Sequence, residues 1–249
     1  MLVVCYHAVS REWRAELAVS PEQLEDELRY LLGRGFDPVT FTKAVAGSEP
    51  GRVMAVTFDD AYRSVYEAAR PILERLGVPG TVFVPTSFPS SRAPMSWPGI
   101  DGFVHGPSAA ELVPASWDEL RTLSRSGWEI GSHTRSHPHL PRLGDAELTR
   151  ELEESRRECE SHVGAPCTAI AYPYGDTDER VARTAAAAGY AAGAALYEPL
   201  MRKSTLSDPM RWPRLVFNRR DGRLRARVKV RLFTGGPGVW NLLHGRADR

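Results

Sequence analysis

Cysteine is scarce in this chain of 249 residues: there are three, Cys5, Cys159 and Cys167, and no two stand at a metal-chelating spacing. An odd, widely spread set excludes a disulfide-built scaffold and reads as free thiols in a reducing compartment. Long apolar runs are missing too, and none approaches the roughly 20 residues of a membrane-spanning helix. The first residues, Met1-Leu2-Val3-Val4-Cys5-Tyr6-His7, carry neither a basic start nor a long apolar core, so they do not read as a signal peptide. These absences lead to the expectation of a cytoplasmic protein. No internal repeat is evident, and no aromatic-and-basic recognition motif points to a nucleic acid.

The formal net charge is only +1, but it is unevenly spread. From Leu200 to Arg249 there are 13 Lys or Arg against 3 Asp; the preceding residues carry 19 basic and 28 acidic groups. The segment 200–249 is therefore expected to be a basic extension, packed on or trailing from a main domain of 1–199. Its charge suggests contact with a membrane surface or a lipid-linked anionic substrate, although a plain packing element is the commoner case. Within it, Arg223 to Phe233 alternates basic and apolar residues. Period two suits a half-buried strand, yet Leu224, Val228 and Leu232 also fit one face of a helix.

What is present is a strand-and-helix rhythm. Leu2-Val3-Val4-Cys5-Tyr6 reads as a first strand. Ser20-Pro21-Glu22-Gln23 is a helix start, with Ser at the cap, Pro in the first turn and Leu24, Leu28 and Leu31 at helical spacing. Val53 to Val56 is a strand, Tyr62 to Leu76 a helix and Gly80 to Val84 a strand. The Pro-, Gly- and Ser-rich stretch 87–116 reads as a long loop over a site. Trp117 to Ser126 is helical, Gly127 to His133 a strand, Asp145 to His162 a helix, Cys167 to Tyr172 a strand and Thr177 to Ala188 a helix. This alternation predicts an α/β protein built on a mainly parallel sheet.

Chemistry concentrates at the strand ends. Thr57-Phe58-Asp59-Asp60 closes one strand with two adjacent carboxylates, which cannot both be buried unpaired without large cost. A metal relieves the repulsion if one carboxylate ligates it and the other accepts a proton. By itself the pair is as well read as a helix cap and its neighbour. His133-Thr134-Arg135-Ser136-His137 follows another strand. On a helical turn its spacing would put both imidazoles on one side, and one added carboxylate would complete a three-ligand zinc site. Asp60 is the expected ligand and Asp59 the expected base, though adjacency alone does not distinguish them. His139 is expected at the rim or in a structural role.

These motifs, with Tyr172-Pro173-Tyr174-Gly175, resemble the first three motifs of the polysaccharide deacetylases, the NodB-homology family or carbohydrate esterase family four. Order, spacing and the flanks Gly127 to Ser132 and Ala188-Gly189-Tyr190 agree over roughly Leu2 to Leu196. The resemblance implies a distorted (β/α) barrel with fewer than eight complete units, so that 1–199 would be a NodB-like domain. It implies a divalent metal, Zn²⁺ first with Co²⁺ or Ni²⁺ as alternatives, held by Asp60, His133 and His137. It assigns Asp59 as base and the Tyr174 backbone N–H as oxyanion donor, with Pro173 and Tyr174 at the substrate. The implied reaction is removal of an N-acetyl group from an N-acetylhexosamine unit. Same-fold alternatives are an O-acetyl esterase or a hydrolase of a non-sugar amide or formamide.

Two departures stand out. Many members place an Arg before Tyr-Pro-Tyr to pair with the catalytic Asp, and this chain has Ala171; Arg214 could take over that pairing or simply lie at the surface. The late Leu-x-His motif that supplies the general acid is matched in letters only by Leu242-Leu243-His244. His7, just after the first strand in a Tyr-His pair similar to that of the exopolysaccharide-type subgroup, is the preferred acid.

Overall fold

The computed structural model of the chain describes residues 1–47, 51–196 and 208–234. Its strands are β1 (Leu2–Tyr6), β2 (Ala8–Val9), β3 (Ala18–Val19), β4 (Asp37–Val39), β5 (Val53–Phe58), β6 (Gly80–Val84), β7 (Glu129–Ser132), β8 (Ala169–Ala171), β9 (Ala192–Leu196) and β10 (Trp212–Val216). Every residue of β1, β5 and β6 is buried. Such unbroken apolar runs belong to parallel strands covered on both faces.

The sheet order is β1-β10-β9-β8-β7-β6-β5, and β5 pairs back to β1. Seven parallel strands thus close a barrel, the expected α/β architecture with fewer than eight units. The short β4 pairs with Val53 to Ala55 of β5, while β6 takes Val56 to Phe58. The closing strand β10 lies beyond residue 199 and sits between β1 and β9, so the barrel includes part of the basic segment.

The helices are α1 (Pro21–Gly33), α2 (Phe41–Ala46), α3 (Arg70–Leu76), α4 (Trp117–Arg125), α5 (Asp145–Val163), α6 (Glu179–Ala187) and α7 (Arg223–Thr234). Ser20 caps α1 as expected, its Oγ accepting from Gln23 N at 3.1 Å. The helix expected over Tyr62 to Leu76 begins instead with a π-turn, Val65–Ala69, before α3. Pro71 has no N–H for the carbonyl four residues back, so the ladder shifts register there.

Two apolar layers result. The larger lies between barrel and helices. The smaller includes Val3, Ala55, Phe83, Ala169, Ala171, Ala192 and Ala194, with Phe41 and Ala44 of α2 packed among them. Small side chains dominate this second layer, and that leaves room for polar groups from neighbouring strands. The stretch 87–116 is less open than its composition suggests. It contains two short 3₁₀ turns, Asp101–Phe103 and Ala109–Leu112, and buries Met95, Trp97, Ile100 and Leu112. Arg223 to Thr234 resolves as a helix, with Ala226 and Val230 buried.

Candidate active site and metal centre

The carboxyl ends of the barrel strands carry the chemistry-bearing residues, the usual position in (β/α) barrels. His7 follows β1, Asp59 and Asp60 follow β5, His133 and His137 follow β7, and Pro173 and Tyr174 follow β8. Among the described residues, five non-glycine residues have left-handed φ: Asp60, Ala61, Thr134, His137 and Tyr174. All five lie in these three loops. Side chains other than Asn and Asp adopt that region reluctantly, so this is strain held at one place in the fold.

Asp60 Oδ1 lies 3.4 Å from Nε2 of both His133 and His137, and all three residues are buried. His133 Nδ1 is 2.8 Å from the Ala171 carbonyl, so it carries the ring proton and Nε2 turns a lone pair toward Asp60. Among the described residues, Asp60 Oδ1 has no hydrogen-bond partner. An orphaned carboxylate oxygen facing two imidazole nitrogens is a poor arrangement without a cation. Ligands at zinc distances on a tetrahedron stand about 3.3–3.4 Å apart. The three donors fit a metal of that size.

The turn carrying the histidines is not the helical one that their spacing suggested. It is an irregular loop, with positive φ at Thr134 and His137. Thr134 Oγ1 accepts from His137 N at 3.1 Å. Glu151 on α5 accepts from Arg135 N and Ser136 N, both at 2.9 Å, and from Ser136 Oγ at 2.6 Å. The rings still converge, with centroids 4.9 Å apart. Trp97 from the long loop stacks on His137 at 4.1 Å.

Asp59 lies beside this group and is tied differently. Arg214 of β10, fully buried, grips it with a fork: Nη1 to Oδ1 at 2.6 Å and Nη2 to Oδ2 at 2.7 Å. Arg214 Nη1 also donates to Thr57 Oγ1 at 3.1 Å, Nε donates to the Ala195 carbonyl at 3.3 Å, and the guanidinium lies over the Phe83 ring. Of the two readings open for Arg214, the structure has the pairing with Asp59 rather than a surface side chain. Ala171 belongs to the smaller apolar layer and offers no group to pair with Asp59. Burial would raise the Asp59 carboxyl, but Arg214, with His133, draws it down to about 2. Burial would likewise raise Asp60; His133 and His137 hold it well below the usual range.

His7 is half-buried, and its ring lies with Asp59 and the Cys5 thiol in a second cluster of donors within 4.8 Å of one another. Among the described residues its Nδ1 has no partner. Tyr174 is 37% exposed, edge-on to His137 and stacked on His139, whose Nδ1 is 2.9 Å from Asp176 Oδ2. His139 therefore sits at the rim, and Tyr174 with the buried Pro173 forms one lip of the opening. His244 lies outside the described residues. Residues that sequence reasoning passed over are Cys5, whose thiol donates to Asp59 Oδ2 at 3.6 Å, and Glu151. Cys5 lies in β1 two residues before His7, which directly follows that strand, a usable signal; Glu151 left none.

A barrel of parallel strands carries at its mouth an Asp-His-His cluster that could hold a metal ion, beside a second Asp clamped by an arginine. The family comparison then fixes the lineage: residues 46–193 match the polysaccharide deacetylase family model, and the chain belongs to that family. It is similar to YxkH of Bacillus subtilis (strain 168), 23% identical over 196 residues, covering 77% of this chain and 62% of that one. It is 25% identical over 171 residues to the poly-beta-1,6-N-acetyl-D-glucosamine N-deacetylase of Staphylococcus aureus, covering 64% and 54%. The chain thus spans less than two thirds of both curated relatives. Among solved structures, the Streptococcus pyogenes deacetylase PplD superposes with a TM-score of 0.75 at 19% identity, over 92% of this chain and 97% of that one. IcaB from Ammonifex degensii gives 0.70 at 23%, over 92% and 95%. These structural likenesses establish the shared fold.

Proposed function

We propose that this protein is a metal-dependent N-deacetylase acting on an N-acetylhexosamine unit of a glycan or glycoconjugate. The observation that carries the reading is the division of labour between adjacent carboxylates. Asp60 converges with two imidazoles on a point that suits a cation, while Asp59 is turned away into the Arg214 fork. The name of the staphylococcal relative, a poly-N-acetylglucosamine N-deacetylase, supports the choice of bond.

Asp60, His133 and His137 would hold the ion. Two nitrogens and one carboxylate oxygen suit Zn²⁺, with Co²⁺ or Ni²⁺ able to replace it. Once bound, the ion supplies a Lewis acid that polarises the acetyl carbonyl and acidifies water. Asp59 takes the proton of the attacking water at a carboxylate oxygen. Arg214 keeps that carboxylate ionised and fixes its direction. The Tyr174 backbone N–H donates to the developing oxyanion. As the C–N bond breaks, His7 gives a proton to the sugar nitrogen, so the products are acetate and a free amine. Pro173 and Tyr174 flank the sugar.

The test is acetate release from β-1,6-linked N-acetylglucosamine oligomers, with matched O-acetylated and formamide substrates, before and after chelation and Zn²⁺ readdition. Release from the N-acetyl substrate that disappears on chelation and returns with Zn²⁺ supports the reading. Release confined to the O-acetyl or formamide substrates would move it to another bond.

A further inference from the structure

Helix α7 presents two apolar faces. Ala226 and Val230 are buried against the body. On the other side Leu224 is 77% and Val228 44% exposed. Leu224 and Val228 are one four-residue interval apart and share one outward face, while Leu232, at the next interval, is half-buried. Among the described residues, the other large apolar side chains this exposed are Met1 and Tyr174, and Tyr174 belongs to the site mouth.

The stripe is framed by positive charge. α7 contains Arg223, Arg225, Arg227, Lys229 and Arg231 and no acidic residue. All four arginines are exposed, whereas Lys229 turns inward to Asp221 and the Val216 carbonyl. Arg223 is held by Asp26, and Arg227 lies over the Tyr30 ring. Those two also line a cavity of about 500 Å³ between α1 and α7, whose walls include Leu31, Phe217, Ala226 and Val230. An outward apolar stripe with arginines on its flanks is the pattern of a helix that lies in the plane of a lipid interface.

We propose that α7 docks this protein on an anionic bilayer, with Leu224 and Val228 entering the headgroup region and the arginines meeting lipid phosphates. The surrounding charge supports that occupant, because the basic excess of the chain is confined to its C-terminal segment and the rest is net acidic. α7, with five basic residues and no acidic one, is the element an anionic surface would attract, and that would orient the molecule. α7 begins just past the carboxyl end of β10, the barrel end that carries the site. Docking through its first turns therefore keeps the catalytic mouth near the membrane surface, where a lipid-linked or wall-associated glycan would be met.

The full chain is tested by co-sedimentation with vesicles of phosphatidylglycerol and phosphatidylcholine in equal parts, against pure phosphatidylcholine. Binding to the anionic vesicles at low salt, weakened by added salt, is expected. The double substitution Arg225→Gln and Arg231→Gln removes two interfacial charges and should weaken binding about 30-fold, at roughly a factor of five for each. Leu224→Asn with Val228→Asn should also release the protein. Acetate release from a soluble substrate should be unchanged in both variants, since none of the four residues touches the site. No binding to anionic vesicles overturns the proposal, as does equal binding to neutral ones. So does a wild-type that dimerises through this stripe in light scattering, or one that binds soluble polyanions but not vesicles.

Discussion

Removing Arg214 should strand a buried charge. Arg214 is fully buried and Asp59 is 3% exposed, and the fork between them is short at 2.6 and 2.7 Å. Deleting one partner of such a pair costs about 3–5 kcal/mol. The carboxyl itself supplies a smaller figure. Its displacement from 3.8 to about 2 corresponds to roughly 2.5 kcal/mol. That value is already net of burial, which opposes Arg214; without the arginine only His133 and His7 oppose the burial penalty, so the larger range applies. The sign follows from the direction. A carboxyl held below its unfolded value stabilises the fold fully above about pH 4, and the contribution is lost as the pH falls toward 2. The experiment is a double-mutant cycle, with Arg214→Met, Asp59→Asn and the pair followed by urea unfolding. The double variant leaves no unpaired ion and should be more stable than the sum of the single losses by about 2 kcal/mol or more. If Arg214→Met does not fold, Arg214→Lys keeps the charge without the fork and serves as the single variant. Additivity within about 0.5 kcal/mol would refute the coupling.

Other expectations follow from the same geometry. Glu151→Ala removes three hydrogen bonds from the loop between the histidines and should weaken Zn²⁺ binding about 10–100-fold in a chelator competition, with little change in melting temperature. Gly131→Ala puts a methyl 2.7 Å from the Phe83 ring and 2.9 Å from the Ala169 carbonyl, and should cost about 1–3 kcal/mol while disturbing His133 two residues on. Glu27 is pushed by burial up to about 7, despite hydrogen bonds from Gln23 and Tyr6. The folded state then holds its proton more tightly than the unfolded one, so stability should fall as pH rises from about 4.5 through 7, and Glu27→Gln should recover up to about 3 kcal/mol at pH 8 and nothing at pH 4.

The strand-and-helix rhythm was legible because parallel strands buried on both faces leave unbroken apolar runs, as in Val53-Met54-Ala55-Val56. The clustered Asp60, His133 and His137 were legible because their motifs directly follow such strands. What stayed hidden depends on packing between segments distant in the chain. Nothing local marks Arg214 as an inward residue of a closing strand: Trp212-Pro213-Arg214 looks like surface until β1 and β9 flank it. A spacing of four suits one side of a helical turn, but the histidine turn is not helical. Its shape instead comes from Glu151 on another element and from Thr134 within the loop. The long loop hid its order in the same way, since Met95, Trp97 and Leu112 are scattered in sequence and meet only in the fold.

The central claim is that Asp60 and the two histidines hold the metal while Asp59 handles the proton. Its most direct test is Asp59→Asn, assayed for bound Zn²⁺ by mass spectrometry and for acetate release from N-acetylglucosamine oligomers. The account predicts metal content like that of the wild-type and turnover lowered about 10²–10⁴-fold, the usual contribution of a general base. Near-normal turnover in the Zn²⁺-loaded variant would contradict it, and so would wild-type acetate release that survives complete removal of the metal.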